Sequence, residues 1–232
     1  MTQLRFKGKT HRLIASRFPT VGVFDDIVND EEEARVAFEL EAMTNGRLEI
    51  GARLHLIPEG GVVTGPTANI AMAAFLHCND EGGRFNDHEL GAWYAATTIQ
   101  TAIEETVFHN ERRLRASECG FPNRIQMREL IVKLNLDLLD ILTDADDHGD
   151  LYDANDYTMS QAFAKKRRWP FAEPGEDGII YRSVRHEGGA NVCIFRPTAL
   201  PLPIVQGNHY EYAWNAHGEL TVLTLAAFKR SA

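Results

Sequence analysis

Residues 177–189, DGIIYRSVRHEGG, begin as a core strand and end as something else. Ile179, Ile180, Tyr181 and Val184 are residues that suit a pleated, buried strand. The run then meets Ser183, Arg185, His186 and Glu187 before two glycines, which allow a tight turn. A second strand-like run, ANVCIFRP, follows at once, and two more lie near 204–214 and 219–228. The stretch is therefore part of a run of strands with short connections, and no helix separates them. Whether Ser183 is a hydrogen-bonding strand end or a working group depends on what else converges on it.

The upstream chain is mixed. Residues 9–16 (KTHRLIAS) read as a strand, with His11, Leu13 and Ala15 on one face and Thr10, Arg12, Ile14 and Ser16 on the other. RFPTVGVFDD (17–26) is a Pro/Gly-punctuated loop. DEEE at 30–33 has capping-box spacing and opens a helix to about residue 43. A turn at Asn45-Gly46 leads through a mixed segment to the loop PEGGVVTGPT, then to a short alanine-rich helix over about 68–76. A polar turn, CNDEGGRFNDHELG, delivers a short strand at 93–96, and 97–116 form the longest helix. RIQMRELIVKLNL (124–136) is a strand, with a shorter apolar segment to 142; an acidic loop and a helix over about 156–169 complete the set. Strands and helices mix without regular βα alternation, repeats or a linker. The expectation is one α+β domain over 1–232, with a mixed, mainly antiparallel sheet flanked by helices.

Composition limits the function classes. A chain of 232 residues with 44% hydrophobic and 25% charged residues can bury a substantial core. A net charge of −9 argues against direct nucleic-acid binding. No apolar run approaches the roughly 20 residues needed to cross a bilayer, and the N-terminus lacks the apolar core of a secretory signal. Cys78, Cys119 and Cys193 are few and widely spaced, which points to a reducing cytoplasm. The basic run KKRR (165–168) ends a helix, where the helix dipole favours cations.

The motifs are individually weak. Asp144, Asp146 and Gly149 fall at EF-hand positions, but Asn155 at position twelve cannot supply the bidentate carboxylate, so calcium is not expected. Nine histidines form no HExxH or His/Cys pair of zinc spacing, and no metal is expected. Ser183 lies in no GxSxG elbow, and Arg84 in a glycine-bearing loop matches no phosphate-loop motif. Arg12, mid-strand on a partly apolar face, must find carboxylate, carbonyl or phosphate partners. Glu105 lies opposite the Ile99, Ile103, Val107 seam of its helix, so it is either solvated or, if the helix is covered on both sides, cavity-facing.

Together, three blocks carry a resemblance. THRLIASRFP, GGRFNDHELGAWYAATTIQTAIEETVFH and DGIIYRSVRHEGGANVCIFRP, in that order, resemble the RES domain, from about residue 10 onward. That family is named for an arginine, a glutamate and a serine, and the matching positions are Arg12, Glu105 (four residues before His109) and Ser183. Its arginine-aromatic-asparagine turn matches Arg84-Phe85-Asn86, and its active-site tyrosine matches Tyr94. One position departs: some members carry an aromatic directly after the arginine, where this chain has Leu13.

The resemblance implies an ADP-ribosyltransferase-like toxin of a bacterial toxin–antitoxin pair, neutralised by an Xre-type antitoxin and able to form homo-oligomers within that complex. It implies NAD as substrate, inorganic phosphate or water as acceptor, and no cofactor. It also admits a protein ADP-ribosyltransferase or an inactive binding module. In that framework Arg12, Glu105 and Ser183 are the catalytic set. Arg12 holds phosphates and Glu105 a ribose hydroxyl and developing positive charge. Ser183 holds substrate or orients Glu105. Arg84, Asn86 and Tyr94 bind substrate, with Arg84 a second anion site.

Overall fold

The computed structural model describes residues 2–18, 28–44, 48–143 and 145–226. The Asn45-Gly46 turn, most of the 17–26 loop, Asp144 and the last residues of the final predicted strand lie outside the described residues. In chain order the elements are β1 (Thr2–Ala15), α1 (Glu31–Thr44), α2 (Leu48–His55), α3 (Ala68–Leu76), β2 (Trp93–Ala96) and α4 (Ile99–Ala116). They continue with β3 (Asn123–Asp140), a 3-10 helix over Ala145–Tyr152, α5 (Thr158–Lys165), β4 (Gly178–Arg182) and β5 (Ala190–Ile194). A short 3-10 turn (Pro197–Ala199), β6 (Val205–Trp214) and β7 (Leu220–Leu225) complete the described chain.

Local chemistry sets the helix starts. The Asp30 carboxylate accepts from Glu33 N at 2.9 Å, while Glu33 reaches back to Asn29 N at 2.8 Å, so the DEEE signal works as a cap. Thr98 caps α4 by accepting from Thr101 N at 3.2 Å.

The sheet is α+β in the expected sense, mainly antiparallel, in the order β1-β2-β5-β4-β3-β6-β7. β1 also pairs along its whole length with β3, from Thr2 opposite Asp140 to Ala15 opposite Met127. The β1–β2 seam is a single pair, His11 opposite Ala96, and the β3–β4 seam is parallel and two pairs long. Five strands (β1, β2, β5, β4 and β3) thus close into a ring, and β6 and β7 extend it from the other end of β3.

The central strands are buried on both faces, which explains apolar runs in place of alternation. Ile180, Val192, Ile194, Leu138 and Trp93 pack on one side with Met72 and Phe75 of α3. Ile179, Tyr181, Cys193, Leu139 and Phe85 pack on the other. A third cluster joins Leu13, Ala102, Leu114 and Met127 to Tyr210, Tyr212 and Trp214.

Four expectations change. β1 starts at Thr2, because β3 gives it a partner along that whole length. The strand at 124–136 and the apolar segment after it are one strand, β3. The mixed segment after 47 contains α2, whose Ile50 and Leu54 are buried. α5 spans only Thr158–Lys165, so the basic run begins in its last turn and continues past it, and the helix dipole does not account for all of that run. Lys165 pairs with Asp87 at 2.7 Å and Glu89 at 2.6 Å. Arg168 is 1% exposed and donates to Leu90 O at 3.1 Å and Gly91 O at 2.7 Å, with Phe195 5.0 Å from its guanidinium. It pins the loop that leads into β2.

Removing that guanidinium would orphan two buried carbonyls. Arg168→Leu is therefore expected to cost about 2–4 kcal/mol, read as a lower urea midpoint at unchanged m. A loss under about 0.5 kcal/mol would mean that the carbonyls find other donors.

Candidate functional site

Glu105 resolves from the two sides of its helix. The Ile99, Ile103, Val107 seam packs with the cluster around Leu13 and Tyr212, while the turn between β4 and β5 covers the other side. The carboxylate is half-buried and faces a cavity of about 790 Å³. Its Oε1 accepts two hydrogen bonds, from Ser183 Oγ at 2.6 Å and Asn191 Nδ2 at 2.7 Å.

The stretch at 177–189 now has a structural account. Ser183 lies just past β4, is 7% exposed and does not line the cavity; its hydroxyl contacts Glu105. Ser183 Oγ also accepts from Arg185 N at 3.1 Å and His186 N at 3.0 Å, and Ser183 N donates to Gly189 O at 2.7 Å. Gly188 has φ +73°, and a Cβ at Gly189 would stand 2.7 Å from Thr101 Oγ1. Thr101 also bonds His186 Nδ1 at 2.8 Å, fastening the turn to α4. The glycines form the hairpin turn and also admit α4 beside it.

Arg12 donates to Tyr94 O at 3.0 Å and lies 4.9 Å from the Trp93 ring centroid. Among the described residues no carboxylate pairs with it, so the salt bridge that a mid-strand arginine would ordinarily make is absent. Burial pushes its guanidinium down to about 10, which leaves it charged at neutral pH.

Tyr94 holds the Arg84 loop. Its hydroxyl donates to Asn86 Oδ1 at 2.8 Å and accepts from Phe85 N at 2.9 Å. Burial pushes this phenol well above its ordinary value, so it stays neutral and keeps its donor. Phe85, fully buried edge-on to Tyr181 at 4.8 Å, anchors the loop and fixes its neighbour Arg84 on the cavity wall. Arg84 donates to Leu151 O at 2.9 Å and lies over the Tyr157 ring at 4.7 Å, again without a carboxylate among the described residues.

The cavity thus brings together Arg12, Arg84, Asn86, Tyr94 and Glu105 from four separate segments, with Ser183 behind the glutamate. Three further lining residues were missed in the sequence: Asn191, Tyr157 and Tyr181. Asn191 is the second residue of β5, opposite Tyr181, but one asparagine just after a glycine turn gives no signal of a carboxylate 86 positions away. Two desolvated guanidiniums without a carboxylate partner among the described residues, beside a positioned carboxylate, suit a ligand that carries anionic groups near a site of positive charge.

Residues 62–215, more than half of the chain, match the RES domain family. The chain belongs to the RES domain family. The matched range includes every site residue named above except Arg12. This RES domain is also 30% identical over 219 residues to the uncharacterized protein y4oC of Sinorhizobium fredii (strain NBRC 101917 / NGR234), covering 93% of this chain and 86% of that one. A distant likeness links it to a chain of the crystal structure of the M. tuberculosis MbcT–MbcA toxin–antitoxin complex, with TM-score 0.44 and 13% identity over 90% of this chain and 86% of that chain.

If the two arginines form an anion site, pyrophosphate stabilises the folded RES domain by about 2.7 kcal/mol at a hundredfold excess over Kd, which is read as a raised Tm. Arg12→Gln and Arg84→Gln are each expected to shrink that shift. A wild-type Tm indifferent to saturating pyrophosphate would rule the site out.

Proposed function

We propose that this RES domain is the toxin of a toxin–antitoxin pair and consumes NAD, splitting the nicotinamide–ribose bond with inorganic phosphate, or failing that water, as acceptor. An Xre-type antitoxin would hold it silent and supply DNA binding, which a chain of net charge −9 is poorly suited to do. The observation that carries the reading is the Glu105 carboxylate, tied through one oxygen to Ser183 and Asn191 and facing a cavity that also holds Arg12 and Arg84.

The chemistry follows from charge. As the glycosidic C–N bond breaks, its electron pair goes to the pyridinium nitrogen and nicotinamide leaves neutral, needing no proton. The ribose becomes oxocarbenium-like, and positive charge grows where Glu105 stands. A phosphate oxygen then donates a pair to the same carbon. The products are nicotinamide and ADP-ribose-1″-phosphate, with the proton of the hydrogen phosphate released to solvent.

The remaining roles divide by contact. Arg12 and Arg84 take the pyrophosphate, by charge-assisted bonds that the lack of carboxylate partners among the described residues leaves available. Tyr94 and Asn86 fix the Arg84 loop and line the pocket for the nicotinamide ribose. Ser183 and Asn191 are positioning residues, acting on substrate through Glu105.

Purified protein, freed of any antitoxin, should be incubated with NAD with and without phosphate, and the products read by proton and phosphorus NMR. Phosphate-dependent release of nicotinamide with ADP-ribose-1″-phosphate is expected. Plain ADP-ribose in both tubes would make it a hydrolase, and intact NAD from folded protein would point to a protein acceptor or a binding module. Glu105→Gln should lower turnover by at least about 10²-fold, since it removes the charge but keeps the shape. Unchanged turnover in that variant would dispose of the electrostatic role.

A further inference from the structure

The cavity continues past the residues used so far. Along α4, Glu105, His109, Arg112, Arg113 and Ala116 recur at helical spacing and all line the same cavity. Arg113 stands eight residues beyond Glu105, about 12 Å along the helix at 1.5 Å per residue. Carboxylate therefore gives way to imidazole and then to two guanidiniums along one continuous wall, with the polar 77–82 segment also lining the cavity there.

These cations are uncommitted. Arg112 has one carboxylate near it, Glu81 at 3.7 Å, with both side chains more than half exposed; such a contact contributes little. Arg113 has no ion pair or hydrogen bond among the described residues. The pKa of His109 is lowered by desolvation; the Glu105 carboxylate opposes that shift, and Arg185, Arg112 and Arg113 add smaller effects in the same direction as desolvation. The remaining arginine of the same half-helix behaves differently. Arg115 points away from the cavity, 3.6 Å from Glu111 and over the Phe121 ring at 5.1 Å. The difference lies in the face each occupies, because a general preference for cations near a helix C-terminus would treat all three alike.

We propose that His109, Arg112 and Arg113 form a second anion subsite, separate from Arg12 and Arg84, that captures the inorganic phosphate acceptor and holds it on the Glu105 side of the cavity. This rests on the NAD-consuming reading above. Two anion subsites in one cavity are what a reaction between a dinucleotide pyrophosphate and a free phosphate requires. The arginines at the outer part of α4 attract the phosphate dianion, and His109, one turn from Glu105, lies between them and the reacting carbon. The phosphate enters with both cations on it, which offsets its repulsion by the glutamate.

The test compares wild type with the double variant R112Q/R113Q and the charge-loss control R115Q, each checked for unaltered unfolding temperature. Steady-state turnover is measured while phosphate and NAD are varied separately. The expected result for the double variant is a phosphate KM raised about tenfold or more with an NAD KM within about twofold, and R115Q like wild type. An NAD KM that rises while the phosphate KM holds would assign this face to the dinucleotide's own phosphates and overturn the proposal. So would unchanged constants, or an equal effect from R115Q. If wild type leaves NAD intact, or cleaves it without regard to phosphate, the proposed function has failed in whole or in its acceptor, and binding of inorganic phosphate alone decides the inference. In a phosphorus NMR titration, binding about tenfold weaker in R112Q/R113Q supports the subsite; binding that is absent or equal in both proteins overturns it.

Discussion

The antiparallel ladder between β1 and β3 fixes more of this molecule than any other interaction. It runs from Thr2 opposite Asp140 to Ala15 opposite Met127, and its register decides which side chains of β1 face the cavity. Side chains alternate with period two, so a slip of one residue would exchange the environments of Arg12 and Leu13. Arg12 would leave the contact with Tyr94 O, and Leu13 would leave the cluster of Met127 and Tyr212. β3 is long enough to serve β1 along one edge while β6 and β4 share the other. The ring closes on that strand, and the site groups on β1, β2, β4 and β5 take their positions from the closure.

Within that frame the glutamate is prepared before any ligand arrives. Ser183 and Asn191 both donate to Oε1, and Ser183 is itself held by the two amides it accepts from. In the proposed reaction no reorganisation of the carboxylate would then be needed as charge develops beside it, which is the usual source of large electrostatic effects in enclosed sites. The arginines differ in kind. Arg12 and Arg84 are satisfied by backbone carbonyls and aromatic rings, so their charge remains available.

Much of this was legible in the sequence where local signals and the resemblance agreed. The DEEE cap, the alanine-rich helix, the strand at 93–96 and the buried run GIIY all appear where local rules put them. The extension of β1 to Thr2 was not legible, because its outward residues are polar and only the partner strand makes them a ladder. α2 was hidden by a glycine and charged residues inside a short segment. Glu105 was undecided because periodicity reports one face of a helix, and the turn that covers the other face comes from residues 78 positions later. The role of Arg168 was not legible for a related reason: a basic run at a helix end reads as dipole-favoured until the tertiary structure encloses one of its members.

That separation along the chain has a consequence for the order in which the molecule is made. Ribosomal synthesis delivers Arg12 first, then Arg84, Tyr94 and Glu105, and only much later Ser183 and Asn191. A nascent chain that ends before Ser183 carries both arginines and the glutamate, yet lacks the two donors that fix the carboxylate and the strand between β2 and β4 that closes the ring. The full arrangement of the cavity is therefore absent from every N-terminal fragment that ends before β5, and it comes into being late in synthesis.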